Sequence, residues 1–203
     1  MKGSIIIIAF FALGIAVGLL FSTCNLQFSI FNLHFSTLIL YALMFCVGIS
    51  IGSDTKTLKS FKDVHPRLMM LPVMTVVGTL AGTAAASALL PHRHLFDCLA
   101  IGSGFGYYSL SSIFITEYKG AELGTIALLA NIMREIITLL CAPLLVRYFG
   151  KLAPISMGGA TTMDTTLPII TRTSGQDYVI VSIFHGFCVD FSVPFLVTFF
   201  CSI

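Results

Sequence analysis

Apolar stretches alternate with short polar connections along the whole chain. Three uninterrupted stretches come first, at about 4–22, 36–53 and 68–90, and two more follow at about 123–146 and 178–201. About 20 apolar residues in a helix are enough to cross the roughly 30 Å hydrocarbon core of a bilayer. Each stretch therefore predicts a membrane-spanning helix.

Two further segments, at about 98–116 and 154–171, have a different pattern. The first contains GSGFGYYSLSS and the second contains GGATTMDTTLP. Gly, Ser, Thr and Pro at this density interrupt a helix, and non-helical backbone at membrane depth is tolerated only inside protein or beside a wet cavity. We therefore predict an all-α, polytopic membrane bundle, a single transmembrane transporter domain over residues 1–203, with two Gly-rich broken segments.

The two broken segments can cross the membrane, or they can be re-entrant hairpins that enter and leave by the same face. The loop 53–67 carries four basic residues and is cytoplasmic by the positive-inside rule. If both segments are re-entrant, Arg147 and Lys151 move inside and Lys119 moves outside, which leaves more positive charge on the cytoplasmic side. The re-entrant arrangement is favoured, and both arrangements place the C-terminus outside.

The broken segments open at Gly102 and Gly158, and each follows a long apolar helix. This order predicts an inverted repeat, in which Gly-interrupted segments at corresponding positions mark the substrate site of a transporter. The alternative is a structural membrane protein in which these segments are flexible packing helices.

Composition excludes several classes of protein. Hydrophobic residues make up 57% of the chain and charged residues 10%, whereas a soluble domain carries about 25% charged residues. The net charge of +2, spread over loops, indicates no nucleic-acid partner. The six cysteines form no CxxC pair and no metal-ligand spacing with histidine, so we expect no metal site and no cofactor. The sequence contains no GxxxxGK[ST] motif, so we expect no ATP-driven pumping by this chain.

Four charged residues fall at membrane depth: Arg134, Glu135, Asp164 and Asp190. Each costs about 2.5 to 3.5 kcal/mol at the centre of a membrane helix, so each needs a partner or a function. Arg134 and Glu135 point about 100° apart on a helix, so we expect them to have different partners. The alternative to a functional role is a structural ion pair that fastens this helix to a neighbouring one. His185 fits either a packing role or a proton relay, and its spacing to Asp190 makes no obvious pair.

Two of these acids fit a substrate site. Glu135 shares a helix face with Asn131 and Thr138, a polar stripe able to line a cavity. Asp164 is flanked by threonines inside the second broken segment. A carboxylate with hydroxyls and free carbonyl oxygens beside it can bind an ammonium group or a proton. The free N–H groups at the start of a half-helix can bind the carboxylate of a substrate. The alternative for Asp164 is an N-cap of the second half-helix. The predicted substrate- or proton-binding residues are Glu135, Asp164, Asn131, Tyr108, Ser109, Ser111, Thr161 and Thr165.

Several motifs together resemble the LysO lysine-exporter family over residues 36–203. They are GSGFGYYSLSS, LLANIMREIITLL, GGATTMDTTLP followed by ITRTSG, and HGF ahead of a Pro-containing apolar helix. The resemblance implies a multi-pass inner (plasma) membrane exporter of L-lysine and its toxic analogue thialysine, driven by protons, with the family's embedded acids at Glu135 and Asp164. It gives Asp190 no role. Longer family members carry about three more helices ahead of this region, so we expect a small membrane subunit that supplies them, or a homo-oligomer.

The expected activity is secondary export of cationic lysine by proton antiport. Moving a cation outward against an inside-negative potential costs about 2.3 kcal/mol per 100 mV, whereas exchanging one proton for one lysine moves no net charge. A carboxylate that holds either cation, never both, enforces the exchange. The alternatives are a structural subunit or a passive channel of a membrane complex. An intramembrane serine protease using Ser103 and His185 does not fit the rhomboid-like G-x-S-G spacing, and we expect no enzyme activity.

Overall fold

The computed structural model describes residues 66–90 and 93–203. It also describes five single helical residues: Leu13, Leu38, Ala42, Phe45 and Ile49. By its contacts the chain divides into two compact units, Met1–Ile49 and Ser50–Ile203. The predicted spans 4–22 and 36–53 lie outside the described residues apart from those single positions. Everything else described belongs to the second unit, and the single-domain organisation stays a prediction.

The second unit is built from helices. In chain order they are α1 (Leu71–Ser87), α2 (Leu95–Gly102), α3 (Tyr108–Lys119), α4 (Ala121–Phe149), α5 (Ala153–Gly158), α6 (Leu167–Ser174) and α7 (Val179–Ser202). Short turns of 3-10 helix span Leu68–Met70, Gly159–Met163 and Gln176–Tyr178. The described part of the chain contains no strand, which confirms the predicted all-α fold class.

Three helical segments of the described chain are long and apolar enough to cross a membrane. They are Leu68–Ser87, Ala121–Phe149 and Gln176–Ser202. The third segment is the central helix, because 50% of its most apolar 18-residue stretch is buried, compared with 11% of that stretch in the first segment. Pro143 and Pro194 lie inside α4 and α7 without ending them. Helices of this length and apolarity make the chain a membrane protein.

The first broken segment folds as a hairpin of α2 and α3. Lys119 Nζ, at the end of α3, lies 3.6 Å from Asp97 Oδ1, near the start of α2. Arg93, just before α2, forms an ion pair with Glu122 in the first turn of α4. The chain therefore leaves this hairpin at the end of the unit where it enters, which we call the Lys119 end.

The second broken segment, α5 to α6, is also a hairpin. Ser174 Oγ, at the end of α6, donates a hydrogen bond of 2.8 Å to the carbonyl oxygen of Lys151, which precedes α5. We call this end of the unit the Lys151 end. Helix α4 connects the two ends, and its 29 residues span about 44 Å. The two hairpins therefore enter the unit from opposite ends.

A small apolar core fixes the Lys151 end. Ile155, Ile170 and Val181 are buried together there, from α5, α6 and α7. Leu68 and Tyr178 pack against them. The starts of the α1 and α7 segments therefore lie at the Lys151 end, and both helices lead away from it.

The two hairpins meet at their tips. The Ala160 N–H donates a 2.9 Å hydrogen bond to the carbonyl oxygen of Phe105. Gly159 has a φ of +64°, and a Cβ atom at this position would collide with the same carbonyl oxygen. Only glycine permits this approach. The order of long helix then hairpin, twice over, is the one that the sequence predicts, while the inverted-repeat relation itself stays a prediction.

Candidate functional site

Helix α4 holds the first break through Asn131, which is buried. Its Oδ1 accepts a 2.8 Å hydrogen bond from the Gly106 N–H. Its Nδ2 lies 2.9 Å from the carbonyl oxygen of Ala127, 3.3 Å from that of Ile101 and 3.5 Å from Ser111 Oγ. An amide has only two N–H donors, so the protein itself occupies the donors of this predicted substrate residue.

One turn further along α4, Arg134 holds the second hairpin. Its Nε donates to the carbonyl oxygen of Met157 at 2.8 Å, and its Nη2 to that of Ser156 at 3.1 Å and to Thr79 Oγ1 at 3.3 Å. These carbonyls end α5, where a cation is favourable because they lack helical partners. The guanidinium also lies 5.8 Å from the centre of the Phe105 ring. Within the described residues, Arg134 thus fastens α4 to its neighbours through carbonyl oxygens and a threonine hydroxyl, with no ion pair.

Glu135 is half-buried on the same helix. Within the described residues its carboxylate forms no hydrogen bond and no ion pair. Asn131 and Thr138 on the shared face are buried, and Thr138 Oγ1 donates to the carbonyl oxygen of Arg134 at 2.8 Å. Among the three residues of the predicted polar stripe, Asn131 is the one whose side chain forms hydrogen bonds with a broken segment.

A cavity of about 100 Å³ lies where the two breaks approach α7. It is lined by Tyr107, Ala160, Thr161, Met163, Asp164 and Asp190. Because one water takes up about 30 Å³, the cavity has room for about three waters or for one alkylammonium group.

Asp164 is the exposed acid of this cavity. Its Oδ1 accepts hydrogen bonds from Thr165, 2.5 Å from the backbone N and 3.1 Å from Oγ1. The N-cap of α6 is Thr166, which makes no side-chain cap bond. The alternative that Asp164 caps the second half-helix is therefore wrong. Its second carboxylate oxygen has no hydrogen-bond partner among the described residues, so it remains available to a cation.

The other predicted residues divide into two groups. Thr161 is buried and lines the cavity, and its Oγ1 donates to the carbonyl oxygen of Gly158 at 2.9 Å. The remaining ones do not line this cavity: Tyr108, Ser109, Ser111, Thr165, Asn131 and Glu135. Tyr108 and Ser109 are exposed at the start of α3, while Ser111 is buried. The structure thus brings only Asp164 and Thr161 of the predicted set to one cavity.

Four cavity residues are absent from the predicted set: Tyr107, Ala160, Met163 and Asp190. Of these, Tyr107 and Asp190 carry polar groups. The signal for Asp190 is Gly186, four residues earlier and so on the same helix face. A Cβ atom at Gly186 would lie 2.7 Å from the backbone N of Met163, so this glycine lets the second break approach α7. Tyr107 is the last residue before α3 begins at Tyr108.

His185 joins three elements. It is fully buried; its Nε2 lies 2.9 Å from Thr75 Oγ1 in α1, and its Nδ1 lies 3.2 Å from Thr162 Oγ1 in the 3-10 turn after α5. Both ring nitrogens therefore have partners, and the histidine does not line the cavity. This geometry fits the packing role.

Comparison with known proteins bears on this arrangement. A family model described as "Lysine exporter LysO" matches residues 8–201. The chain belongs to this family. Lysine exporter LysO of Escherichia coli (strain K12) is 37% identical over 188 residues, which is 93% of this chain and 60% of that protein. A Haemophilus influenzae (strain Rd) protein provisionally named a lysine exporter is 34% identical over 164 residues, 81% of this chain and 83% of that protein.

No solved structure matches the chain. The chain spans 60% of the length of the Escherichia coli relative. Membership of the LysO family confirms the resemblance seen in the motifs and makes this a protein of a transporter family, not of an enzyme family.

Proposed function

We propose that this LysO-family chain exports L-lysine across the inner membrane in exchange for protons, and that thialysine leaves by the same route. The match to the family over residues 8–201 supports the substrate. The observation that carries the mechanism is Asp164, whose carboxylate has a free oxygen on a cavity beside the meeting point of two broken segments.

The exchange follows from what one carboxylate can hold. An ionised Asp164 binds the side-chain ammonium of lysine, and a protonated Asp164 does not. If the proton is released to the inside before lysine binds and taken up from the outside after lysine leaves, one positive charge moves each way. The membrane potential then neither opposes nor drives the exchange.

Glu135 is the second acid of the proposed mechanism. It is half-buried, and no described residue forms a hydrogen bond or ion pair with its carboxylate. A carboxylate of this kind at membrane depth is suited to carry a proton. Glu135 is therefore the second candidate, beside Asp164, for the carboxylate that exchanges a proton for lysine.

The orientation completes the proposal. With the 53–67 loop in the cytoplasm, the Lys151 end faces inside and the Lys119 end faces outside, so the two hairpins are re-entrant from opposite faces. The C-terminus is then outside. A reporter active only in the periplasm should give signal when fused after Ile203 and no signal when fused after Lys59; the reverse pattern contradicts this orientation.

The chain is also proposed to work with a small membrane subunit or as a homo-oligomer, as the family resemblance implies. Gentle detergent purification should recover it with such a subunit or as more than one copy. Full transport by a purified monomer in liposomes would contradict this part of the proposal.

Lysine efflux from cells that lack other lysine exporters tests the function. We expect efflux and thialysine resistance with the wild-type chain, supplied with any small membrane protein encoded beside it, and loss of both when a protonophore collapses the proton gradient. Efflux that persists without the gradient would favour a passive channel.

Two variants test the carboxylates in the same assay. Asp164→Asn and Glu135→Gln keep size and hydrogen-bonding capacity but remove the ionisable group, so expression should survive while export is lost. Asp177→Asn, on an exposed carboxylate before α7, is the matched control and should export normally. Near-normal proton-coupled export by Asp164→Asn would reject the exchange mechanism.

A further inference from the structure

Asp190 is a buried acid for which the described residues provide no hydrogen-bond or ion-pair partner. It is only 8% exposed, and it lines the cavity described above. A carboxylate with so little exposure loses most of its hydration, which is costly unless a partner replaces it. Such a group in the middle of a membrane helix calls for a bound partner or a function.

The cations of the described residues do not fill this role. Arg134 is held by the carbonyl oxygens of Met157 and Ser156 and by Thr79. The cationic groups of the Lys119 end pair with Asp97 and Glu122. Within the described part of the chain, Asp190 is therefore not half of an ion pair.

The cavity brings Asp190 together with Asp164. Both line the same space of about 100 Å³, along with the hydroxyl-bearing residues Tyr107 and Thr161. Two ionised carboxylates on so small a cavity repel each other, and a cation placed between them relieves the repulsion.

Two residues of α7, one before and one after Asp190 in the sequence, shape the surroundings of Asp190. Gly186, one turn before Asp190, lets the backbone of Met163 approach the helix and so brings the second break alongside. Pro194, four residues after Asp190, has no N–H to donate to the carbonyl oxygen of Asp190. The helix therefore offers both a carboxylate and an under-used carbonyl oxygen at this turn, and both groups attract a cationic donor.

We propose that Asp190 is the second carboxylate of the substrate site, and that Asp190 and Asp164 together bind one primary ammonium group. Building on the proposed function, that group is the end of the lysine side chain. An ammonium has three N–H donors, which the two carboxylates and one hydroxyl of the cavity can accept.

The inference makes Asp190 a determinant of specificity. A substrate that lacks the terminal ammonium leaves both carboxylates of the cavity, one of them buried, without a cation, which a site built for hydrogen bonding rejects strongly. Norleucine has the same aliphatic chain as lysine apart from that group. The site should therefore discriminate against norleucine, and should lose this discrimination when Asp190 is neutralised.

The first test measures binding on the purified full chain, with n-butylammonium chloride as the probe and sodium chloride at equal ionic strength as the blank. The probe should raise the unfolding temperature of the wild-type protein. Asp190→Asn should bind it at least tenfold more weakly, Asp190→Glu should restore most of the affinity, and Asp177→Asn should behave as wild type. Equal affinity of the wild type and Asp190→Asn would overturn the proposal.

The second test needs no variant at position 190, which matters if Asp190→Asn does not fold. A hydrophobic carbodiimide reacts with carboxyl groups buried in membrane proteins, and peptide mapping identifies the modified residue. We expect n-butylammonium to slow the modification of Asp190 and of Asp164 together, and to leave that of Asp177 unchanged. Protection of Asp164 without protection of Asp190 would overturn the shared site.

The two proposals fail in different ways. A wild-type chain that binds n-butylammonium through Asp190 but exports no lysine would contradict the proposed function and leave the ammonium site standing. A chain that exports lysine, and whose Asp190→Asn variant binds and exports it with wild-type affinity, would contradict the ammonium site alone.

Discussion

The two breaks of this fold look alike in sequence and differ in what holds them. In the first, Asn131 accepts from the backbone of Gly106 and lies within donating distance of the carbonyl of Ile101, so the fold uses its polar group. In the second, Arg134 holds the carbonyls that end α5, while Asp164 is bound only by its neighbour Thr165.

The two breaks therefore differ in whether their polar groups are free to bind a substrate. A polar group whose donors and acceptors are occupied by the protein is unavailable to a substrate, whereas a carboxylate with a free oxygen on a cavity is available. In the proposed mechanism the first break is therefore the fixed wall of the site, and the second break supplies Asp164. The contact between Phe105 and Ala160 joins the two.

The largest expected effect comes from the contact between the hairpin tips. In Gly159→Ala the new Cβ atom meets the carbonyl oxygen of Phe105, so we expect the tips to separate and both thermal stability and export to be lost. Gly150→Ala is the matched control: it also has a positive φ, of +88°, but nothing lies within 4 Å of the added atom. It should lose only the backbone cost of about 1 to 3 kcal/mol for a non-glycine residue in this conformation. Equal unfolding temperatures for the two variants would show that the tips do not touch.

A smaller effect is expected where α4 holds the first break. Asn131→Leu leaves the buried Gly106 N–H without its acceptor, at roughly 1 to 3 kcal/mol, whereas the Ile101 carbonyl keeps its hydrogen bond from the Gly104 N–H. Thr125→Ala removes an exposed hydroxyl from the same helix and should change stability little. Chemical denaturation of the two variants in detergent measures the difference. If Asn131→Leu proved as stable as Thr125→Ala, the first break would not depend on this amide.

The smallest effect is expected at Tyr107 and Tyr108, and it tests which of these two tyrosines contacts the substrate. Tyr107 lines the cavity and Tyr108 does not. Tyr107→Phe should therefore raise the KM for lysine export several-fold, while Tyr108→Phe should stay within about twofold of wild type. The opposite ranking would place the substrate on the α3 side of the first break and away from Asp164.

Sequence patterns predicted the elements better than their contacts. The predicted breaks at 98–116 and 154–171 correspond to hairpins whose helices are interrupted at Ser103 to Tyr107 and at Gly159 to Thr166, because Gly and Thr clusters weaken helices wherever they fold. The long helices 123–146 and 178–201 appear as Ala121–Phe149 and Val179–Ser202. Their apolar length alone is enough to predict them.

The site could be predicted only in part, for a physical reason. Asp164 was predicted because it is a charge inside a break, and the structure places it on the cavity. Asp190 was given no role, because neither its spacing to His185 nor the family resemblance gives it one, and helix periodicity does not tell that Gly186 brings the second break close to α7. Tyr108 was predicted, whereas Tyr107 lines the cavity; the start of a helix is uncertain by one residue from sequence, and one residue changes the direction of a side chain by about 100°.

The most direct test of the account is the side of the membrane on which each hairpin begins and ends. Single cysteines replace Lys119 and Lys151, one at a time, in a functional chain whose six native cysteines are substituted, and intact cells are treated with a membrane-impermeant thiol reagent. The account predicts that the cysteine at 119 reacts in intact cells and that the cysteine at 151 reacts only after the membrane is opened. Reaction at 151 but not at 119 would mean that both segments cross the membrane, and would contradict two hairpins that meet from opposite faces.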